Sequence, residues 1–293
     1  MNRKLFRSIR EYKKVSILTP LFVVLEVLME VLIPLQMANI IDIGIQDGNL
    51  PYIIRTGLIL VVLAMLALAF GALAGKLGAE AGAGYAKNLR HDIFYKIQDF
   101  SFKNIDHFST SSLVTRMTTD ITNVQMAYMM SIRLLARAPI MIVLSLVMTL
   151  TISQTIALLL LCTIPVLGGV LIFIARKAHP HFIRVFDEYD VLNNVVQENV
   201  NAARVVKAYV REDYEIEKFH GISKVVFVLF SRAVIIVAWN SPTMQFVIYA
   251  VVLSMVLIGG QDIVLGTMET GELTSVIVYA LQILSSLMMV SFV

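Results

Sequence analysis

Six long apolar runs restrict the fold of this 293-residue chain more than any motif in it. They cover residues 15–39, 53–75, 133–152, 156–175, 233–260 and 273–293. Each is close to the ~20 residues that carry a helix across ~30 Å of hydrocarbon. Lipid offers the backbone no hydrogen-bond partner, so a spanning segment must pair its own N–H and C=O groups. The runs do not alternate as barrel strands do, and that leaves helices. Composition agrees. The chain is 58% hydrophobic and 15% charged, with a mean hydropathy of +0.78, whereas soluble domains average about 45–50% and 25%. The fold class is therefore an all-α membrane protein with six transmembrane helices. One cysteine, Cys162, allows no internal disulfide.

The connections alternate in length. Those at 40–52, 151–155 and 261–272 are short, while 76–132 and 176–232 are long and polar. All of the 24 lysines and arginines except Arg55 fall on the N-terminus, on the long connections or at the start of the third run. Positive residues mark the cytoplasmic side, so the N-terminus and both long connections are expected there. The basic N-terminus precedes an apolar run too long for a signal peptide, and no cleavage is expected. Neither long connection has a linker's glycine and proline content. They read as helix leaving the membrane and helix returning. Residues 176–204 alone rise roughly 42 Å at 1.5 Å per residue. Two long cytoplasmic helical hairpins result, of a length that suits docking to something below the membrane.

The tip of the second hairpin is QENVNAARVVKAYVREDYEIEKF, residues 197–219. With Val196 just before it, Val200, Ala203, Val206 and Val210 recur at the steps of one helix face. Arg204, Lys207 and Arg211 rim Val206, Tyr209 and Val210, as charges rim an apolar docking surface. At the first tip, Phe108, Ser109 and Thr110 place helix-capping hydroxyls behind an aromatic, which marks a break and restart.

Here the sequence resembles a family. NIDHFSTSSLVTRMTTDITNVQ (104–125) and VQENVNAARVVKAYVREDYEIEKF (196–219) are similar to the two intracellular loops of bacterial ABC exporters. IPLQMANIIDIGI (33–45) and GELTSVIVYALQILSSLMMVS (271–291) also match, and the likeness covers essentially the whole chain. It is nearest to multidrug half-transporters that pair as heterodimers. Many members carry Gly-Glu where this chain has Ser111-Ser112. The resemblance implies a transmembrane domain over residues 1–293 whose sixth helix is cut short. It implies a partner half, with helices four and five crossing over to it, and a bacterial plasma-membrane location. It also implies nucleotide-binding domains that hold ATP and Mg²⁺ outside this chain. Short coupling helices near 105–112 and 204–213 would relay ATP-driven closure. Phe108, Ser109, Thr110, Arg204, Val206, Lys207, Tyr209, Val210 and Arg211 carry that role over.

The chain itself lacks a phosphate-binding loop. Gly71 to Leu77 has three residues between its glycines rather than four, and Leu77 stands where Mg²⁺ needs a hydroxyl. Gly71, Gly75, Gly78 and Gly82 read better as a stripe for close helix approach. No catalytic residue, resident cofactor, metal site or nucleic-acid partner is expected.

Polar residues within a span are functional candidates by default. Glu26 and Glu30 share one face of the first helix. Asn240, Ser241, Gln245 and Tyr249 share a face of the fifth, beside Pro242, which should kink it. Ser275, Tyr279, Gln282 and Ser286 follow helical spacing on the sixth. These stripes predict a common substrate cavity, or else hydrogen bonds that hold the bundle. Two carboxylates in low dielectric would favour cationic amphipathic substrates, and the Met-rich spans suit hydrophobic ones. A secondary transporter, a channel or a non-transporting membrane scaffold would also fit six spans.

Overall fold

A computed structural model describes residues 7–101 and 110–291. Its α-helices are α1 (Lys13–Asn39), α2 (Leu50–Gln98), α3 (Thr110–Thr115), α4 (Ile121–Ile152), α5 (Gln154–Ala208), α6 (Glu212–Ala238), α7 (Asn240–Val264) and α8 (Thr270–Ser291). Six stretches are long and apolar enough to cross a membrane: α1, α2, α4, α5, the pair α6–α7, and α8. The six apolar runs are thus six spans. Leu58, Val62, Met65 and Leu68 stand exposed along α2, a continuous apolar face that suits lipid rather than water. Among the described residues, the long connections are mostly helix. Helices α2, α5 and α6 continue well past their apolar runs, and the separate Gly78, Gly82, Gly84 and Pro180 in these extensions do not stop them.

The chain divides into two compact units, Met1–Leu161 with Val251–Val293, and Cys162–Ala250. In the first, α1, α2, α4 and α8 share one core. Val23, Val27 and Val31 stand one turn apart on α1 and bury against Ala74 of α2, Met141 of α4 and Tyr279 of α8. Burying each such side chain is worth about 1.5–3 kcal/mol in water; within lipid, packing and polar contacts hold helices together instead. A second cluster joins the hairpin arms of α2 and α4. Tyr85, Ala86 and Leu89 meet Ile121, and the Tyr85 and Tyr128 rings stack at 4.5 Å. The N-terminal turn is pinned to α2: Ser8 Oγ donates to Asp92 at 2.7 Å, Arg10 pairs with the same carboxylate, and Tyr12 lies on Gly84.

The small-residue stripe does what its spacing suggests. A Cβ on Gly71 would stand 3.0 Å from Glu26 Oε1, one on Gly78 would stand 3.2 Å from Arg133 Cδ, and one on Gly82 would stand 3.3 Å from Met129 Cβ. Bare glycine backbone on α2 therefore lets α1 and α4 bring charged side chains against it.

In the second unit, α5 turns into α6 at residues 209–211. Asn199 Nδ2 donates to Glu215 at 3.1 Å and Lys218 Nζ to Glu198 at 2.9 Å, closing a helical hairpin. Val210 takes a φ of 52°, a conformation that glycine adopts freely and a β-branched residue does not. The short separate helix expected near 204–213 is instead the last turn of α5, the turn itself and the start of α6. Nothing in Arg204, Val205, Val206 or Lys207 interrupts a helix. The kink expected beside Pro242 is present as a break at Trp239 between α6 and α7, with the proline in the first turn of α7, where its missing N–H costs nothing.

Candidate functional site

The site is built on three helices of the first unit. Glu26 and Glu30 project from one face of α1, and Arg137 of α4 reaches both. Arg137 Nη1 donates to Glu26 Oε1 at 2.7 Å. Its Nη2 donates to the two oxygens of Glu30 at 2.8 and 2.7 Å. Only 13% of the Glu26 side chain and 28% of that of Arg137 are exposed. A charge so far from water must be paired, and one guanidinium here serves two carboxylates. The two glutamates read from sequence as favouring cationic substrates thus share a cation of the chain's own. Arg137 occupies one cation's place between the two acids.

Arg137 stands between two clefts. One, of about 400 Å³, is lined by Glu30, Arg137, Met141, Gln282, Ser286 and Met289, among others. The other, of about 260 Å³, is lined by Glu26, Arg133, Arg137, Met129, Met130 and Leu134, with Val23. Glu30, Gln282 and Ser286 line the first of these together. Gln282 also accepts from Ser145 Oγ at 3.3 Å.

The other half of the α8 stripe has a different job. Ser275 Oγ donates to the carbonyl of Pro34 at 2.6 Å, and Tyr279 Oη to that of Val31 at 2.8 Å. Both side chains are fully buried. They stitch α8 to α1, the bundle-holding alternative for this stripe. The stitch continues to the helix start. Asp42, in the π-helical turn Ile40–Ile45 that ends α1, accepts from the N–H of Gly271 at 2.6 Å and of Glu272 at 3.1 Å. These are donors that no intrahelical carbonyl can serve. Glu272 in turn reaches back to the N–H of Glu269 at 2.9 Å, half of a capping box. The carboxylates of Asp42 and, less strongly, Glu272 press on Glu269 and push its pKa up.

In the second unit, Asn240 is buried, and its Oδ1 accepts no hydrogen bond among the described residues. Ser241, Gln245 and Tyr249 are exposed, with Gln245 Nε2 donating to Tyr249 Oη at 3.1 Å. At the hairpin tip, Val195, Val200, Ala203 and Val206 of α5 face Ile216 and Phe219 of α6 across a groove of about 430 Å³. Part of the apolar stripe is therefore sheltered by its own hairpin. Tyr209 and Val210 are not, at 76% and 81% exposed. Lys207 pairs with Glu212 at 3.2 Å, and Arg204 and Arg211 are exposed around them. Phe108 and Ser109 lie outside the described residues, and of Thr110 only the backbone is described.

Sequence reasoning missed Arg137, Arg133 and Asp42 as site or clasp residues. The signal was present for the first: an arginine inside a span demands a partner, and two glutamates one turn apart within another span were the acids available.

Six apolar spans, with charges of α1 and α4 paired in the first unit, define a polytopic membrane protein with a polar site between helices of that unit. Residues 16–287 match the family described as ABC transporter transmembrane region, and the chain belongs to that family. It is 29% identical to an uncharacterized ABC transporter ATP-binding protein, YfiB, of Bacillus subtilis, over 99% of this chain and 51% of that protein. It is 28% identical to a similarly described protein of Mycobacterium tuberculosis, over 97% of this chain and 49% of the relative. An ATP-dependent lipid A-core flippase of Desulfotalea psychrophila is 23% identical over 65% of this chain and 33% of its own length. The chain spans about half the length of the first two relatives.

Proposed function

We propose that this chain is the membrane-spanning half of an ATP-driven exporter that moves lipophilic or amphipathic compounds by alternating access. The observation that carries the reading is the Glu26–Arg137–Glu30 triad beside a cleft of about 400 Å³ among three spans. Charged residues within spans are costly and are functional-site candidates by default. The relative named as a lipid A-core flippase supports an amphipathic substrate class. In this reading a second half-transporter completes the pathway, and ATP and Mg²⁺ bind on nucleotide-binding domains. The hairpin tips dock on those domains. The N-terminus and both hairpins lie in the cytoplasm of a bacterial cell, and the spans lie in its plasma membrane.

The test is reconstitution in liposomes of the full transporter, with its partner half and nucleotide-binding domains. Movement of fluorescent phospholipids and lipophilic dyes is then followed with ATP and with a non-hydrolysable analogue. Vectorial movement that needs hydrolysis supports the reading. Downhill flux indifferent to ATP would assign a channel or secondary transporter instead, and no flux under either condition would assign a scaffold.

A further inference from the structure

We infer that the smaller cleft, beside Glu26 and Arg133, is a headgroup site for a zwitterionic lipid whose primary ammonium and phosphate are joined by a short link. The inference rests on the proposed transport of amphipathic compounds and names the substrate class for one subsite. Glu26 gives Oε1 to Arg137, while its Oε2 is buried and accepts no hydrogen bond among the described residues. A buried carboxylate oxygen without a donor loses its hydration and gains nothing in return. A ligand ammonium would supply that donor.

Arg133 lines the same cleft. Among the described residues it has no carboxylate within ion-pairing distance, in contrast to Arg137 four residues on. Its guanidinium lies toward Gly75 and its stem toward Gly78, while Glu26 lies on Gly71. Gly71 and Gly75 are one helical turn apart, so cation and anion are separated by roughly 6 Å along α2. An ethanolamine phosphate places its two charges in the opposite order across a comparable gap. A planar guanidinium is suited to phosphate. Acyl chains attach through the phosphate, so they would leave the cleft on the Arg133 side. Met129, Met130 and Leu134 offer the apolar wall such chains need, and Met adapts to their shape.

The experiment is native mass spectrometry of the full chain released from detergent micelles, with three dioleoyl lipids at equal concentration. Phosphatidylethanolamine carries both charges and N–H donors. Phosphatidylcholine lacks the donors, and phosphatidylglycerol lacks the ammonium. Wild type should retain phosphatidylethanolamine about tenfold more than either, the worth of one charge-assisted hydrogen bond. Glu26→Gln should remove that preference and leave phosphatidylglycerol unchanged. Arg133→Gln should weaken all three lipids about tenfold, and Arg133→Lys should restore them. Since Arg133 forms no ion pair among the described residues, its variants test the site even if Glu26→Gln unfolds. Equal retention of phosphatidylglycerol and phosphatidylethanolamine by wild type would overturn the inference, as would full retention by Arg133→Gln. Competition by soluble phosphoethanolamine at the lipid's own concentration would overturn the lipid assignment. Binding is read without ATP, so failure here leaves the exporter reading standing, and absence of ATP-driven movement leaves the headgroup site standing.

Discussion

Removing Arg137 should destabilise the fold more than removing either acid it holds. Arg137→Gln leaves Glu26 and Glu30 facing each other across one helical turn, with side chains 13% and 27% exposed and no cation within reach of both. Breaking a buried pair by deleting one partner costs about 3–5 kcal/mol, and the partial exposure of the triad argues for the lower figure, about 3 kcal/mol. Glu30→Gln is different. It removes an acceptor of two short hydrogen bonds but leaves a neutral Arg137–Glu26 pair, so its cost should stay near 1–2 kcal/mol. Replacing all three by Gln, Gln and Met removes every charge and should cost less than Arg137→Gln alone, because lone buried charge is the expensive state. The assay is reversible unfolding in mixed micelles for the four proteins, under one condition, with insertion checked by protease protection. The reasoning is refuted if Glu30→Gln is as damaging as Arg137→Gln, or if the triple variant is the least stable of the set.

The α1–α8 clasp gives two further tests. A methyl group on Gly271 would stand 2.6 Å from the Ala38 carbonyl and from Asp42 Oδ2, so Gly271→Ala should lower stability by about 1–3 kcal/mol in the same assay; an unchanged midpoint would show that the two helices part easily there. Glu269 has a folded pKa above its ordinary carboxylate value, Asp42 being the largest cause. Its contribution is therefore intact at pH below that ordinary value and is lost as pH rises through the raised one. Glu269→Gln should leave stability unchanged at about pH 4 and increase it toward neutrality, and a gain independent of pH would exclude charge repulsion as its cause. At the second hairpin tip, Val206→Asp or Tyr209→Asp in the full transporter should uncouple ATP hydrolysis from transport with normal membrane insertion. Wild-type transport rates in those variants would make the tip an ordinary solvated helix.

Elements and class could be read from the amino-acid order alone. Six runs of about twenty apolar residues can be only helices in lipid, because backbone hydrogen bonds must close within each run. The low glycine and proline content of the long connections favoured helices that outrun the apolar runs, and the 4, 3, 4 spacing of Gly71, Gly75, Gly78 and Gly82 announced a close helix contact. The family, too, was legible in the two hairpin segments. What the sequence could not assign was the partner of each polar side chain. Ser275, Tyr279, Gln282 and Ser286 form one stripe by spacing, yet the first two bond to carbonyls of α1 and the last two line a cleft. Spacing fixes a face of a helix, whereas the helix that meets each turn of that face is a property of packing. For the same reason the spacing of Glu26 and Glu30 did not show that Arg137 of α4 reaches both. Asp42 gave no local sign that it caps a helix beginning 228 residues later at Thr270, since a carboxylate and a helix start so far apart in sequence are joined only by the antiparallel packing of α1 on α8.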